Sequence, residues 1–489
     1  MEIELKFALP APEPRLLEKQ LASTKVIGRR KPKREQLHNT YYDTPEHALQ
    51  QACVALRVRQ FGDANCPRWV QTLKMGGNSD SALSRRGEWE VALKENQLDS
   101  TPLANTPWMA LDPDGSLFHA LTPLFTTTFE RLTWVIKRAN TTVEVALDRG
   151  SVLMDGRTSA LCELEIELLH GSTDVLFEIA SDIAQQVTLL PLHMSKAERA
   201  YRLAQGTLDA PLQAKPPALP ERPDCNQVAQ TVLRECFLQF TANLNTLRSS
   251  DAPEVVHQAR VGWRRMKSLL KLFKLPGEGS SMPSLEPLKP ILTAMTELRD
   301  LDVAANEVLP RYATAYQEAD ATRTKQWREL EKALAQSSRA QRQQMRKILT
   351  DAVVGQTLLQ ITRWLETGII FPAAEPSGAK NFSKWVNKRI ARLAERVGNA
   401  PAQCIDEVRQ HQLRIRSKRL RYCVESLRPL LPKRSTERWH QTATQSQTAI
   451  GESRDRWQAI AIAQRLNAAD GIVQFLRGAA FGARVRCSD

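Results

Sequence analysis

The sequence predicts a multidomain α+β protein in which a strand-rich first part precedes an all-helical part made of two repeated bundles. Three observations predict it. Short alternating runs separated by turn signals fill about the first 200 residues. A stretch holding Pro211, Pro216, Pro217, Pro220 and Pro223 follows, as a linker does. Beyond it almost every segment has helical periodicity, and one block of sequence occurs twice. The boundaries read as 1–205 for the strand-rich domain, 206–224 for the linker and 225–489 for the helical domain. Its repeats run over about 225–371 and about 379–489, divided by the break from Phe371 to Gly378.

Charge separates the two parts. The chain has 489 residues and a formal net charge of +14. Residues 1–215 hold 25 Lys and Arg against 27 Asp and Glu, whereas residues 216–489 hold 43 against 27. A basic surplus confined to one domain points to an acidic polymer as partner. The eight cysteines show no C-x-x-C pair, which suits neither a structural zinc site nor a disulfide framework and fits a reducing compartment. The first residues lack a basic region followed by an apolar one, so no signal peptide is expected. The longest apolar run, Val353–Ile370, is interrupted by Arg363 and Glu366 and is too polar to span a bilayer. Cytoplasm is the expected location, with no membrane partner.

In the first part, strands are expected at Ile3–Leu9, Cys53–Gln60, Val70–Lys74, Glu88–Leu93, Thr142–Leu147 and Cys162–Leu169, with turns at Gly76-Gly77-Asn78 and Asp155-Gly156. Side chains alternate across a strand, so Glu2, Glu4 and Lys6 share one face while Ile3, Leu5 and Phe7 share the other. Arg57 and Arg59 repeat the pattern, as do Arg86, Glu88 and Glu90, then Glu144 and Asp148, then Glu163, Glu165 and Glu167. If such strands close into a barrel, two lumens are open: an apolar one with charges in solvent, or a hydrated one lined by charge. Five strands of like pattern favour the second. Clustered carboxylates suit a hard divalent cation such as Mg²⁺ or Mn²⁺, and converging Arg and Lys suit a phosphate chain.

Glu2-Ile3-Glu4-Leu5-Lys6 resembles the ExExK signature of the CYTH superfamily, the triphosphate tunnel metalloenzymes. Further motifs follow in order: Tyr41-Tyr42-Asp43-Thr44-Pro45, Leu56-Arg57-Val58-Arg59, Thr72-Leu73-Lys74, Arg86-Gly87-Glu88-Trp89-Glu90, Glu163-Leu164-Glu165-Ile166-Glu167, and Ser195-Lys196 with Arg199 and Tyr201. The resemblance implies an eight-stranded antiparallel tunnel that binds a linear triphosphate with a divalent metal. It implies that Glu2, Glu4, Glu165 and Glu167 hold the metal. Lys6, Arg57, Arg59, Lys74, Arg86, Arg131 and Lys196 would clamp the phosphates. Glu2, Glu4 and Lys6 are the expected catalytic group, with the choice between a free carboxylate base and metal-assisted activation of water left open.

In the helical part, His257, Arg260, Arg264, Lys267 and Lys271 fall at steps of three or four residues and form one stripe. His411, Arg414, Lys418 and Arg421 form the other, and the two blocks align without gaps. Downstream, Glu297 to Asp300 echoes Glu452 to Asp455. Like charges one turn apart repel, so such a stripe asks for an anion. The repeats resemble the CHAD domain, a module of two four-helix bundles marked by histidines and associated with polyphosphate. One histidine per repeat supplies a transition-metal site poorly, so phosphate is the expected ligand. Nucleic acid is the competing polyanion. Trp263, Trp385, Trp439 and Trp457 are expected in packing rather than base stacking, and no zinc finger or helix-turn-helix pattern is visible.

The expected activity is hydrolysis of inorganic triphosphate to diphosphate and phosphate, with polyphosphate bound by the helical domain. Class IV adenylate cyclase, thiamine triphosphatase and a non-catalytic polyphosphate-binding adaptor are the alternatives.

Overall fold

A computed structural model describes residues 1–10, 14–62, 66–77, 81–219, 224–275, 282–369, 379–399 and 407–485. The chain separates into two compact units, one formed by Met1–Ala210 with Thr350–Glu366, the other by Pro211–Leu349 with Thr367–Asp489.

The first unit is a closed antiparallel barrel of eight strands. These are β1 (Glu2–Ala8), β2 (Lys33–Asp43), β3 (Ala55–Phe61), β4 (Arg68–Met75), β5 (Leu83–Leu93), β6 (Thr122–Arg138), β7 (Thr141–Met154) and β8 (Arg157–His170). Going round, the order is β1-β8-β7-β6-β2-β3-β4-β5, and β5 pairs again with β1 through Glu2 opposite Arg86. A two-residue strand, Leu190–Pro191, also pairs with β1. The Asp155-Gly156 turn joins β7 to β8 with both residues at positive φ, 50° and 71°, which is the two-residue geometry that suits a hairpin's twist. Two strands, β2 and β6, had not been singled out from sequence.

The barrel is turned inside out relative to a generic one. Leu5 and Phe7 of β1, Leu132, Trp134 and Ile136 of β6, Val143, Val145 and Leu147 of β7, and Leu164 and Ile166 of β8 face away from the lumen. There they pack with Leu17 and Leu21 of the helix Pro14–Ser23 and with Leu176, Phe177, Ile179 and Ile183 of the helix Thr173–Ile183. The apolar coat thus lies outside the sheet, and the parity of β1, β3, β5 and β8 that carries Glu2, Arg57, Arg86 and Glu165 points inward.

A helix from much later in the chain completes that coat. Ala352–Thr367 contributes Leu359 to the same cluster, and its Gln356 side chain donates to the Ala184 carbonyl at 2.9 Å. A Cβ on Gly355 would lie 2.9 Å from the Leu189 nitrogen, so glycine is what allows this helix so close to the backbone it covers.

The Tyr41–Pro45 motif organises one end of the barrel. Asp43 Oδ1 accepts the backbone N–H groups of Thr44 and Leu49, and Oδ2 accepts that of Gln50 and the Tyr201 hydroxyl at 2.5 Å. Tyr201 belongs to the helix Lys196–Ala204, which Ser195 caps by accepting from the Glu198 N–H. Both motifs are therefore joined through one buried carboxylate.

The second unit is helical. The helices Cys225–Thr246, Pro253–Leu272, Lys289–Val303 and Ala321–Ile348 lie in the first repeat, and Ala379–Gly398, Glu407–Leu427, Lys433–Arg465 and Asp470–Val485 in the second. The two stripe-bearing helices, Pro253–Leu272 and Glu407–Leu427, pack on each other. Arg265 donates to Ser426 at 3.3 Å and the Cys423 thiol to the Ser268 carbonyl at 3.7 Å. No helix or strand occurs among the described residues from 205 to 224, and the Phe371–Gly378 break lies outside the described residues. Trp263 and Trp439 are buried, and Trp263 packs on Phe240 with ring centroids 5.0 Å apart.

Tyr201→Phe removes a hydrogen bond to a buried carboxylate and should cost about 2 kcal/mol of barrel stability. Denaturant unfolding checks this, and an unchanged midpoint would remove Asp43 as the organiser of this end.

Candidate active site and basic helical patch

The inward parity of the strands lines a cavity of about 260 Å³. Lys6, Arg57, Arg59, Lys74, Arg86, Arg131 and Lys196 all reach it, together with Glu2, Glu88, Glu90, Glu144, Glu165 and Glu167. The lumen is the charged one of the two that the sequence left open.

Its two sides differ in how the charges are matched. On one, Arg131 makes a two-pronged contact with Asp148, Nε to Oδ1 and Nη2 to Oδ2, both at 2.7 Å, and Nη2 also lies 2.6 Å from Glu165. Lys196 sits among three carboxylates: it contacts Glu163, Asp148 at 2.8 Å and Glu165 at 2.9 Å. Burial alone would ease the proton off Lys196, but those acids hold its ammonium well above the ordinary lysine range. This side is neutralised by its own ion pairs.

On the other side Glu2 accepts from Lys74 at 2.8 Å and from Arg86 Nε at 2.7 Å, and Glu4 accepts from Arg86 Nη2 at 2.8 Å. Lys6 lies 3.5 Å from Glu4, and Lys74 lies 2.9 Å from Glu88. Burial opposes ionisation of Glu2, yet Lys74 and Arg86 together draw its carboxyl below the ordinary value. Three lining groups are left over among the described residues, and Glu144, whose carboxyl burial raises above the ordinary value, is one of them. Arg59 donates to Asn39 at 3.0 Å but has no carboxylate partner among the described residues. Burial, then the neighbouring Arg57 and Arg131, depress it to about 10. Glu167 likewise has no cationic partner among the described residues, and burial, then Glu2 and Glu88, push it up to about 8. A guanidinium that lacks an anion and a carboxyl that lacks a cation thus face the same cavity.

Two acidic trios bring ligand atoms within 4.8 Å of one another among the described residues: Glu2, Glu88 and Glu167, and Asp148, Glu163 and Glu165. The second already surrounds the Lys196 ammonium. The first retains an unmatched carboxyl, and three hard oxygen donors fit a divalent cation. Of the four carboxylates expected at the metal, Glu2 and Glu167 come together. Glu165 lies in the other trio, and Glu4, opposite Glu167 across the β1–β8 pair, is held by Arg86 and Lys6. Glu88 was missed as a candidate ligand. Its strand parity with Arg86 and Glu90 had marked it as inward-facing, but its partners come from strands distant in sequence. Asp148 and Glu163, which position Arg131 and Lys196, were missed for the same reason.

In the helical unit the two stripes converge. Burial, then Arg264, Arg299 and Arg454, depress Arg260 to about 10, with Asp300 opposing. Burial and Arg264 depress Lys418 to about 8, with Arg421 and Arg260 adding and Asp455 opposing. Basic groups of the first repeat therefore act on those of the second, and one composite patch results. Arg414 lies 4.0 Å from Asp455, and Arg421 lies 3.6 Å from Glu425. Lys267 and His411 are exposed. Burial and Arg299 lower the His257 imidazole, so it is uncharged at neutral pH. Arg299 and Arg454 join the patch from the downstream echo, which the sequence had matched by offset without assigning a ligand.

A family model described as CYTH domain matches residues 1–201, and one described as CHAD domain matches residues 231–464. An inorganic triphosphatase from Haemophilus influenzae is 31% identical over 203 residues, which take in 41% of this chain and 54% of that protein. The chain thus spans about half the length of that curated relative. Among solved structures, a CHAD domain from Ricinus communis matches with 26% identity and a TM-score of 0.48, covering 57% of this chain and 92% of that one. A candidate adenylyl cyclase from Hippeastrum with a dominant triphosphatase activity matches with 20% identity and a TM-score of 0.31, covering 42% and 96%.

The raised Glu167 carboxyl fixes a sign. A carboxyl held above its ordinary 4.5 in the folded protein contributes stability below that pH and loses it as pH rises through about 8. In the metal-free protein, Glu167→Gln should leave stability unchanged at pH 4 and raise it progressively between pH 4.5 and 8. Unfolding midpoints across that range test it, and a difference independent of pH would contradict it.

Proposed function

Since the chain joins a CYTH domain to a CHAD domain, we propose that it hydrolyses inorganic triphosphate to diphosphate and phosphate in the barrel, with Mg²⁺ or Mn²⁺, and binds polyphosphate on the helical patch. The observation that carries the first half is the pair of unmatched charges in the lumen. Arg59 lacks an anion and Glu167 lacks a cation, and a metal-bound phosphate chain supplies both at once. The 31% identity to an inorganic triphosphatase supports the same reading.

In this reading Glu2, Glu88 and Glu167 hold the cation, with Glu4 keeping Arg86 and Lys6 in place beside them. A divalent cation there would neutralise phosphate oxygens and lower the cost of deprotonating water. Lys6, Arg57, Arg59, Lys74 and Arg86 bind the phosphates and stabilise the charge that develops on the transferred group and on the leaving diphosphate oxygen. Arg131 and Lys196, held by Asp148, Glu163 and Glu165, form the far wall, where their charge is already matched. The lining also supports an inorganic substrate over a nucleotide or thiamine triphosphate. Tyr41 is the one aromatic among the lining residues, and its ring is taken up by stacking on Phe125 at 4.4 Å.

The helical patch resembles no metal site. His257 is embedded among arginines, which suits an anion and disfavours a cation. We place the protein in the cytoplasm. None of the six described cysteines is in a disulfide, and no helix among the described residues is long and apolar enough to cross a membrane.

Arg59→Met keeps much of the side-chain volume and removes the charge. It should lower kcat/KM for triphosphate by about 100-fold or more with Mg²⁺ present. Phosphate release from triphosphate is the assay, and wild-type turnover in this variant would remove the arginine from the mechanism.

The full chain should bind long-chain polyphosphate with an affinity that falls steeply with salt, because each neutralised phosphate releases counterions. Replacing Arg260, Arg264, Arg414 and Lys418 by Ala should weaken binding and flatten that dependence together. Affinity should also fall as pH rises past about 8, where free Lys418 loses its proton, and Lys418→Arg should remove that fall. Tight binding that ignores salt would count against the patch.

A further inference from the structure

Arg59 faces the lumen with its charge unmatched, and the way it is held keeps that charge available. Its Nε donates to Asn39 Oδ1 at 3.0 Å, and Asn39 stands directly opposite it across the β2–β3 pair. Across the β2–β6 pair Asn39 stands opposite Thr127, with its Nδ2 2.9 Å from Thr127 Oγ1. Asn39 and Thr127 are fully buried, and neither is among the residues that line the cavity. The three side chains make one row across three strands, and only the arginine reaches the lumen.

The chemistry of the row fixes which way round the amide sits. A guanidinium has donors only, so the amide atom that faces Nε must be the oxygen. The amide nitrogen then turns to Thr127, whose hydroxyl oxygen accepts. Turning the amide over would set donor against donor at Arg59.

Two other arginines of the wall are held through Nε by the side chain directly opposite, and there it is a carboxylate. Arg131 is held by Asp148 and Arg86 by Glu2. Both arginines have their charge matched by the residue that orients them. Asn39 orients Arg59 with no charge of its own. The terminal nitrogens of Arg59 make no hydrogen bond among the described residues.

We infer that Asn39 is the positioning residue for Arg59: its buried, neutral amide aims the guanidinium into the lumen through Nε and leaves both terminal nitrogens and the positive charge to a phosphate of the substrate. The inference rests on the reading of the barrel as a triphosphate site. A carboxylate in this place would hold the arginine as well and neutralise it, so amide rather than acid is what keeps this part of the wall receptive to an anion. Asn39 acts only through Arg59, and Thr127 acts one step further back, through Asn39.

Asn39→Asp is made in the wild-type protein, and Asn39→Ala and Thr127→Val in both the wild-type and the Arg59→Met protein. Two readouts are taken: turnover of triphosphate with Mg²⁺, and calorimetric binding of triphosphate to the metal-free protein. Asn39→Ala frees the arginine and Asn39→Asp neutralises it, and each should lower kcat/KM and weaken binding by about tenfold or more, as loss of an oriented charge-assisted hydrogen bond does. Thr127→Val keeps the side-chain shape and releases the amide, and should cost about fivefold. In the Arg59→Met protein neither Asn39→Ala nor Thr127→Val should change either readout by more than about twofold, because a residue that acts through another loses its effect once that other is gone. Circular-dichroism melting shows which variants fold, and Thr127→Val decides the matter if Asn39→Ala does not. Wild-type values in a folded Asn39→Ala or Asn39→Asp protein, or equal losses with and without Arg59, would overturn the positioning role alone. A wild-type protein that neither binds nor hydrolyses triphosphate would remove the reading of the barrel and this inference with it, so the two failures are told apart before any variant is made.

Discussion

The barrel depends on a charged interior being able to neutralise itself. Taking a carboxylate or an ammonium out of water is expensive, and the expense is met only where opposite charges meet in good geometry. Arg131 with Asp148 and Glu165, and Lys196 with Asp148, Glu163 and Glu165, meet that condition. Because the charged parity of β1, β3, β5 and β8 turns inward, their apolar parity turns outward, and helices must cover it. The lumen, the coat and the order of strands follow from one another. The same condition separates scaffold from site, for where neutralisation is complete the wall asks for no ligand. Where it is incomplete, at Arg59 and Glu167, a ligand has something to complete.

Much of this was legible in the sequence, because parity is a local property. The run Glu163, Glu165, Glu167 tells which way three side chains point whatever else the chain does. Which carboxylates gather is not local. Glu2, Glu88 and Glu167 sit on β1, β5 and β8, and only the closure of β5 and β8 on either side of β1 brings them together. The resemblance grouped Glu165 with Glu167 at the metal, whereas the fold separates them between two trios. Tyr41–Pro45 was readable as a motif but not as a device. The four donors to Asp43 come from a turn, a short helix and a tyrosine more than 150 residues away.

The helical half shows the same division. Helical spacing places Arg260 and Arg264 on one face, and Lys418 on the matching face of the repeat. It does not say that the faces meet. Duplication makes them meet, because a repeated helix that packs on its own copy presents the same residues twice to one place. Beyond burial, Arg264 and Arg260 of one repeat depress Lys418 of the other, which records that crowding. Two weak stripes thereby become one strong demand for an anion.

The apolar run Val353–Ile370 was likewise visible in the sequence without revealing which core the helix Ala352–Thr367 serves. That helix belongs to the barrel's coat, although about 140 residues separate it from the last residues of the barrel segment. During synthesis, then, the barrel can close its strands long before the apolar ground around Leu189 is covered. Until the covering helix emerges, that ground is a sticky surface, and a fragment ending near residue 210 would keep it permanently. Aggregation, rather than loss of any ligand, is the characteristic failure such a fragment would show.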